Sequence, residues 1–141
     1  MKKILITVAI LLSVMLFINA CTTQGEPLIS VEGAKYMKSP MIEHASAVFM
    51  VITNDGKADD RVLRCSIKEL PAVKGELHDV IDGKMQEIKE IVIPAGGMTV
   101  LKKGSLHLMF FDVPEKMEES VTVIMEFEKS GKREVAVPVD Q

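Results

Sequence analysis

Ser46-Ala47-Val48-Phe49-Met50-Val51-Ile52-Thr53, closed by Asn54-Asp55-Gly56, decides the fold class of this 141-residue chain. The run is rich in branched and apolar side chains and ends in a turn tripeptide, which reads as a β-strand. Working outward, the same pattern recurs. Glu87 to Ile93 alternates and stops at Pro94-Ala95-Gly96-Gly97. Met98 to Leu101 follows, with Lys102-Lys103-Gly104 as a turn. Ser105 to Val113 is apolar up to Pro114, and Val121 to Phe127 alternates. Ser130-Gly131-Lys132 then turns the chain into Glu134 to Val139. Only the surroundings of Met117-Glu118-Glu119 offer a helical turn. Strands at this spacing predict an all-β domain, a sandwich or Greek-key barrel.

The first residues follow a different rule. Met1-Lys2-Lys3 is positive, and Ile4 to Ala20 is a charge-free run of seventeen residues. It ends in Leu16-Phe17-Ile18-Asn19-Ala20-Cys21, a small residue directly before a cysteine. That layout is a secretory signal peptide, and its end resembles a bacterial lipobox. The resemblance implies cleavage before Cys21 and a diacylglyceryl thioether on its sulfur. An uncleaved anchor is the other reading, but seventeen residues is short of the about 20 that span a bilayer. The expected organisation is a lipoprotein signal over 1–20, a lipidated tether over 21–26 and one domain over 27–141. The protein is expected outside the cytoplasm, held on a membrane facing the periplasm or the cell exterior.

Without residues 1–20 the chain keeps 15 basic and 20 acidic side chains. That balance is solvating and lacks the basic surface that nucleic acid needs. Cys21 and Cys65 are the two cysteines. With Cys21 lipidated, Cys65 has no intrachain partner, so no disulfide framework forms. Cys65 reads as a small buried residue, with a redox or metal role the lesser alternative. No nucleophile–base pair stands out, so no catalytic residue is assigned. His44, beside Glu43, reads as a surface histidine.

Among three histidines and ten methionines, four positions group by geometry. Asp82-Gly83 is a two-residue hairpin signal. It pairs Ile81 with Lys84, Val80 with Met85 and His78 with Glu87. His78 and Met85 then share a face as diagonal neighbours, about 7 Å apart at the backbone. His107 and Met109, two apart, also share a face. Thioethers are soft and imidazole is borderline, so this set suits Cu(I) in a tetrahedral shell. Zinc sites favour thiolate or histidine with carboxylate, and a blue-copper site needs a cysteine beside two histidines. Neither set is assembled here. The bland alternative is that the histidines are surface residues and the methionines core fillers.

The chain resembles the periplasmic copper chaperones, the PCu(A)C-like proteins, over nearly the whole segment after Cys21. The residues that carry the resemblance are Ala47 to Gly56, Ala58-Asp59-Asp60-Arg61-Val62-Leu63, Glu76-Leu77-His78, Asp82-Gly83-Lys84-Met85, Ile93 to Gly97 and Gly104-Ser105-Leu106-His107-Leu108-Met109. It implies a cupredoxin-like, immunoglobulin-like Greek-key β-sandwich. It also implies Cu(I) ligation by a histidine, a methionine and a His-x-Met pair, which map onto His78, Met85, His107 and Met109. The 21 residues between Met85 and His107 match the family spacing. Six residues separate His78 from Met85, fewer than the family uses, and the tight hairpin still brings both to one face. Glu76 and Glu87 are candidates to accept from a ligating imidazole. The implied role is non-enzymatic handover of copper to an envelope protein, including a cytochrome c oxidase subunit or its assembly factors. Copper storage or scavenging, or a metal-free envelope interaction module, would use the same scaffold.

Overall fold

The computed structural model describes residues 25–139. The expected signal, Cys21 and residues 22–24 of the tether lie outside the described residues. Ten strands follow one another: β1 (Ile29–Lys38), β2 (Ala45–Asn54), β3 (Asp60–Ile67), β4 (Lys74–Ile81), β5 (Lys84–Ile88), β6 (Ile91–Ile93), β7 (Gly97–Leu101), β8 (His107–Phe111), β9 (Ser120–Phe127) and β10 (Gly131–Pro138). Among the described residues there is no helix. The stretch around Met117 is irregular rather than a helical turn, and β9 begins three residues later.

The strands form two antiparallel sheets. One runs β1-β2-β8-β4-β5, and the other β10-β9-β3-β6. β2 is long enough to serve two neighbours. Its residues Ala45 to Val48 pair with β8, and Met50 to Asn54 pair with β7. Its alternation sends Val48, Met50 and Ile52 into the core. Leu77, Leu108 and Phe110 join them from the same sheet, facing Val62, Ile67, Val123 and Met125 of the other. This is the expected all-β sandwich, with one six-stranded face turned outward.

Three strands differ from the reading of the sequence, each for a local reason. Glu87 to Ile93 is two strands, not one. Lys89-Glu90 carries the chain from the larger sheet to the smaller, where β6 pairs with β3, and Glu90 meets Arg61 at 3.6 Å. β1 and β3 each contain a register shift, between Glu32 and Lys35 and between Val62 and Arg64. A bulge adds a residue and flips the alternation, so neither segment shows a continuous period of two.

Two buried polar side chains are satisfied by backbone. Asn54 accepts from the N–H groups of Leu28 and Gly56 and donates to the carbonyls of Ala58 and Ile93. Asp60, fully buried, accepts from the backbone N–H groups of Arg61, Lys129 and Ser130. Burial pushes the Asp60 carboxyl up, and the donors at Ser130, Lys129 and Arg61 outweigh it, so its pKa lies below the ordinary value. A lowered folded pKa stabilises the fold above the unfolded value, about 3.9 for aspartate, and that contribution fades as pH falls through the folded value. Asp60→Ala is expected to cost on the order of 3 kcal/mol at pH 7, because three backbone N–H donors lose a charged, buried acceptor. Urea unfolding should show that deficit shrinking as the pH is lowered below about 4. A deficit that stays constant across that window would refute the assignment.

Candidate metal site

The hairpin between β4 and β5 has Asp82 at φ 52 and Gly83 at φ 75, the positive pair that a type I′ turn requires. It sets Ile81 opposite Lys84, Val80 opposite Met85 and His78 opposite Glu87, the register expected from Asp82-Gly83. On its other side β4 pairs with β8, with His78 opposite His107 and Glu76 opposite Met109. Alternation puts His78, Met85, His107 and Met109 on the outward face of the larger sheet. Leu77, Leu108 and Phe110, next to them in sequence, hold the inner face. β5 is the last strand of that sheet.

His78, His107 and Met109 are buried, while Met85 is 42% exposed. The two imidazole centroids lie 5.6 Å apart at an interplanar angle of 63°. Phe49 flanks His107 at 6.2 Å and Phe111 flanks His78 at 5.9 Å. Neither phenylalanine was picked out by sequence, because an aromatic residue in an apolar strand carries no sign of its neighbour across the sheet. The Met85 thioether reaches His107 rather than its diagonal neighbour: Nε2 of His107 and Sδ of Met85 are 3.3 Å apart.

Each imidazole has one nitrogen occupied. His107 Nδ1 lies 2.7 Å from the Ser105 carbonyl oxygen. A carbonyl only accepts, so Nδ1 carries the proton and Nε2 turns a lone pair toward Met85. His78 Nε2 lies 2.6 Å from Glu76 Oε2. With the carboxylate as acceptor, Nε2 is the donor and Nδ1 keeps its lone pair. That Nδ1 is buried and, among the described residues, has no hydrogen-bond partner. A polar atom left so costs about 1–3 kcal/mol, which a cation at that position would relieve.

Lys74, Glu76 and His78 alternate onto one face of β4. The Lys74 ammonium contacts Glu76 Oε1, and with His78 on the other oxygen the Glu76 carboxyl is held below its usual pKa, chiefly by Lys74. Of the two candidate carboxylates, Glu76 orients an imidazole. Glu87 sits opposite His78 in register but is exposed, and among the described residues it makes no hydrogen bond to it. Lys74 went unnoticed in the sequence because its role depends on the same-face spacing of three side chains.

Cys65 is buried in the core, its thiol directed at the Glu76 carbonyl at 3.5 Å. Burial, then the Glu76 charge, pushes that thiol up to about 12, so it offers no thiolate near neutral pH. Gly75 lies inward against the Cys65 carbonyl, where a Cβ would collide with backbone. His44 is half exposed and pairs loosely with Glu43 at 3.7 Å. Among the described residues no group of three or more His, Cys, Asp or Glu side chains is placed to hold a metal ion. The side chains that do gather beside the two imidazoles include the Met85 thioether, a soft donor that favours Cu(I) over hard cations.

Residues 29–139 match the model of the LpqE-like lipoprotein family. Comparison with curated proteins gives no match. Several solved structures share the fold. The apo PCuAC domain from PmoF1 superposes with a TM-score of 0.68 at 17% identity, covering 79% of this chain and 92% of that domain. The copper-bound PCuAC domain from PmoF2 gives 0.66 at 16%, with coverage of 79% and 92%. The solution structure of CuI-DR1885 from Deinococcus radiodurans gives 0.64 at 18%, covering 85% of this chain and 83% of that one.

Proposed function

This chain belongs to the family of LpqE-like lipoproteins and has the PCuAC fold, and on that premise we propose that it is a Cu(I) chaperone anchored outside the cytoplasm. One observation carries the reading. Two buried imidazoles each commit one nitrogen to an acceptor and keep the other's lone pair free, beside a thioether at 3.3 Å. His78 Nδ1, His107 Nε2, Met85 and Met109 are the four donors. All four are neutral, and neutral soft donors suit Cu(I). Glu76 and Ser105 fix the tautomers, as partners of ligating imidazoles do. The copper-bound domain from PmoF2 and CuI-DR1885 share this fold, which supports copper as the cargo.

The chaperone does no chemistry of its own on this reading. A lipid on Cys21 and the polar tether hold the sandwich near the membrane, and the outward face presents the ion to a recipient. The recipient is an envelope copper protein, with the copper centre of cytochrome c oxidase the leading candidate. The test is a Cu(I) competition titration of the soluble domain, residues 22–141, against a chromogenic chelator under reducing conditions. One tight equivalent is expected, with Zn(II) unable to displace it. No competition with the chelator would sink the proposal. In cells, Cys21→Ser is expected to move the protein from the membrane to the soluble fraction, and retention on the membrane would refute the anchor.

A further inference from the structure

A third thioether stands in line with the site. Met37 of β1 lies opposite Ala47 of β2, and Ala47 lies opposite Met109 of β8. The three form one row across the outward face, since the neighbouring Tyr36 is fully buried on the inner side. Two strand spacings put the Met37 and Met109 backbones about 10 Å apart. Methionine has three rotatable bonds, and only a methyl group, that of Ala47, stands between the two side chains. Met37 is 44% exposed while Met109 is 2% exposed, so the row runs from a buried donor to an open one. Lys38, next in sequence, directs its ammonium to the Glu115 carbonyl at 3.0 Å, which ties that cation down. A methionine on an exposed strand face does nothing for packing that leucine would not do. As a soft donor it is distinct.

We propose that Met37 is a transit ligand: Cu(I) enters or leaves the four-donor site by being shared between Met109 and Met37 across Ala47. This rests on the Cu(I) reading of that site. On exit the bond to Met85 breaks as the bond to Met37 forms, and the bonds to the two imidazoles and Met109 then break in turn as donors of the acceptor replace them; entry reverses the order, and the metal keeps its oxidation state throughout. A transit ligand lowers the barrier in both directions and leaves the equilibrium affinity of the site unchanged.

The experiment is stopped-flow transfer of Cu(I) from the loaded soluble domain, whose core lies wholly within the described residues, to bathocuproine disulfonate. Equilibrium affinity is measured in parallel. Met37→Leu is expected to slow transfer about tenfold with its affinity equal to that of the parent. Ala47→Leu, which keeps both thioethers and fills the gap, is expected to slow it likewise. Met41 is 92% exposed but lies outside the strand register, and Met41→Leu is expected to match the parent. Transfer from Met37→Leu at the parental rate would overturn the proposal, as would equal slowing by Met41→Leu. An unslowed Ala47→Leu would overturn the path across the row. Absence of a tight equivalent in the parent would instead remove the Cu(I) site itself, and Met37's role with it.

Discussion

Replacing His107 by alanine is expected to weaken Cu(I) binding about a hundredfold, roughly 2.8 kcal/mol, with the fold intact. His107 Nε2 lies 3.3 Å from the Met85 sulfur, and on the proposed ligand set its removal leaves three donors. The inner face of β8 is untouched, because Leu108 and Phe110 supply the core contacts there. Competition titration reads the loss, and thermal unfolding of the metal-free variant should remain close to the parent. Glu76→Gln provides a graded comparison. It keeps an acceptor for His78 but removes the charge that Lys74 holds in place, and it should weaken binding by about tenfold, the lower end for partners of ligating imidazoles. Parental affinity in His107→Ala would remove that residue from the ligand set.

The largest loss of stability is expected one residue beyond Met109. Phe110 is fully buried on the central strand of the larger sheet. Phe110→Ala deletes a ring from the sandwich core and should cost about 3–5 kcal/mol, against about 5–15 kcal/mol for a whole domain. The midpoint of urea unfolding reports it. Cu(I) offers a second check, because a ligand that binds only the folded state stabilises it by about 2.7 kcal/mol at a hundred times its Kd. Saturating Cu(I) should therefore recover much of the deficit if the outward donors survive. A loss below about 1 kcal/mol would mean that the core closes over the gap, against the usual behaviour of deleted aromatic rings.

How far the sequence reaches depends on whether a feature is local. The β2 alternation and the Asp82-Gly83 turn are local, and both are found as read, including the pairing of Val80 with Met85. The gathering of His78, Met85, His107 and Met109 on one face follows from that turn and from alternation in β8. What β4 and β8 do to each other is not local. The direct opposition of His78 and His107 arises from a pairing between strands separated by β5, β6 and β7. The Met85 sulfur lies on His107, and the phenylalanines flank the imidazoles, for the same non-local reason. β1 and β3 escaped because a bulge in each breaks the period of two. Lys89-Glu90 was read as part of one alternating strand, and only the position of two layers reveals it as a crossing.

The place of Met85 has a consequence for timing. Three of the proposed donors sit on β4 and β8, inside a sheet braced from beneath by the core, whereas the fourth rides on β5, which is paired along one side only. Such edge strands open at a small fraction of the free energy needed to unfold a domain. On the proposed function, loss of the Met85 sulfur by fraying of β5 is therefore uncoupled from the unfolding of the sandwich, and it leaves the ion on His78, His107 and Met109, from which the path to Met37 starts. If the protein hands on Cu(I) as proposed, a recipient need not destabilise the sandwich to take the ion. The shell opens first at the hairpin, and binding of the ion should appear as slowed amide hydrogen exchange from Lys84 to Ile88 and little change in β8.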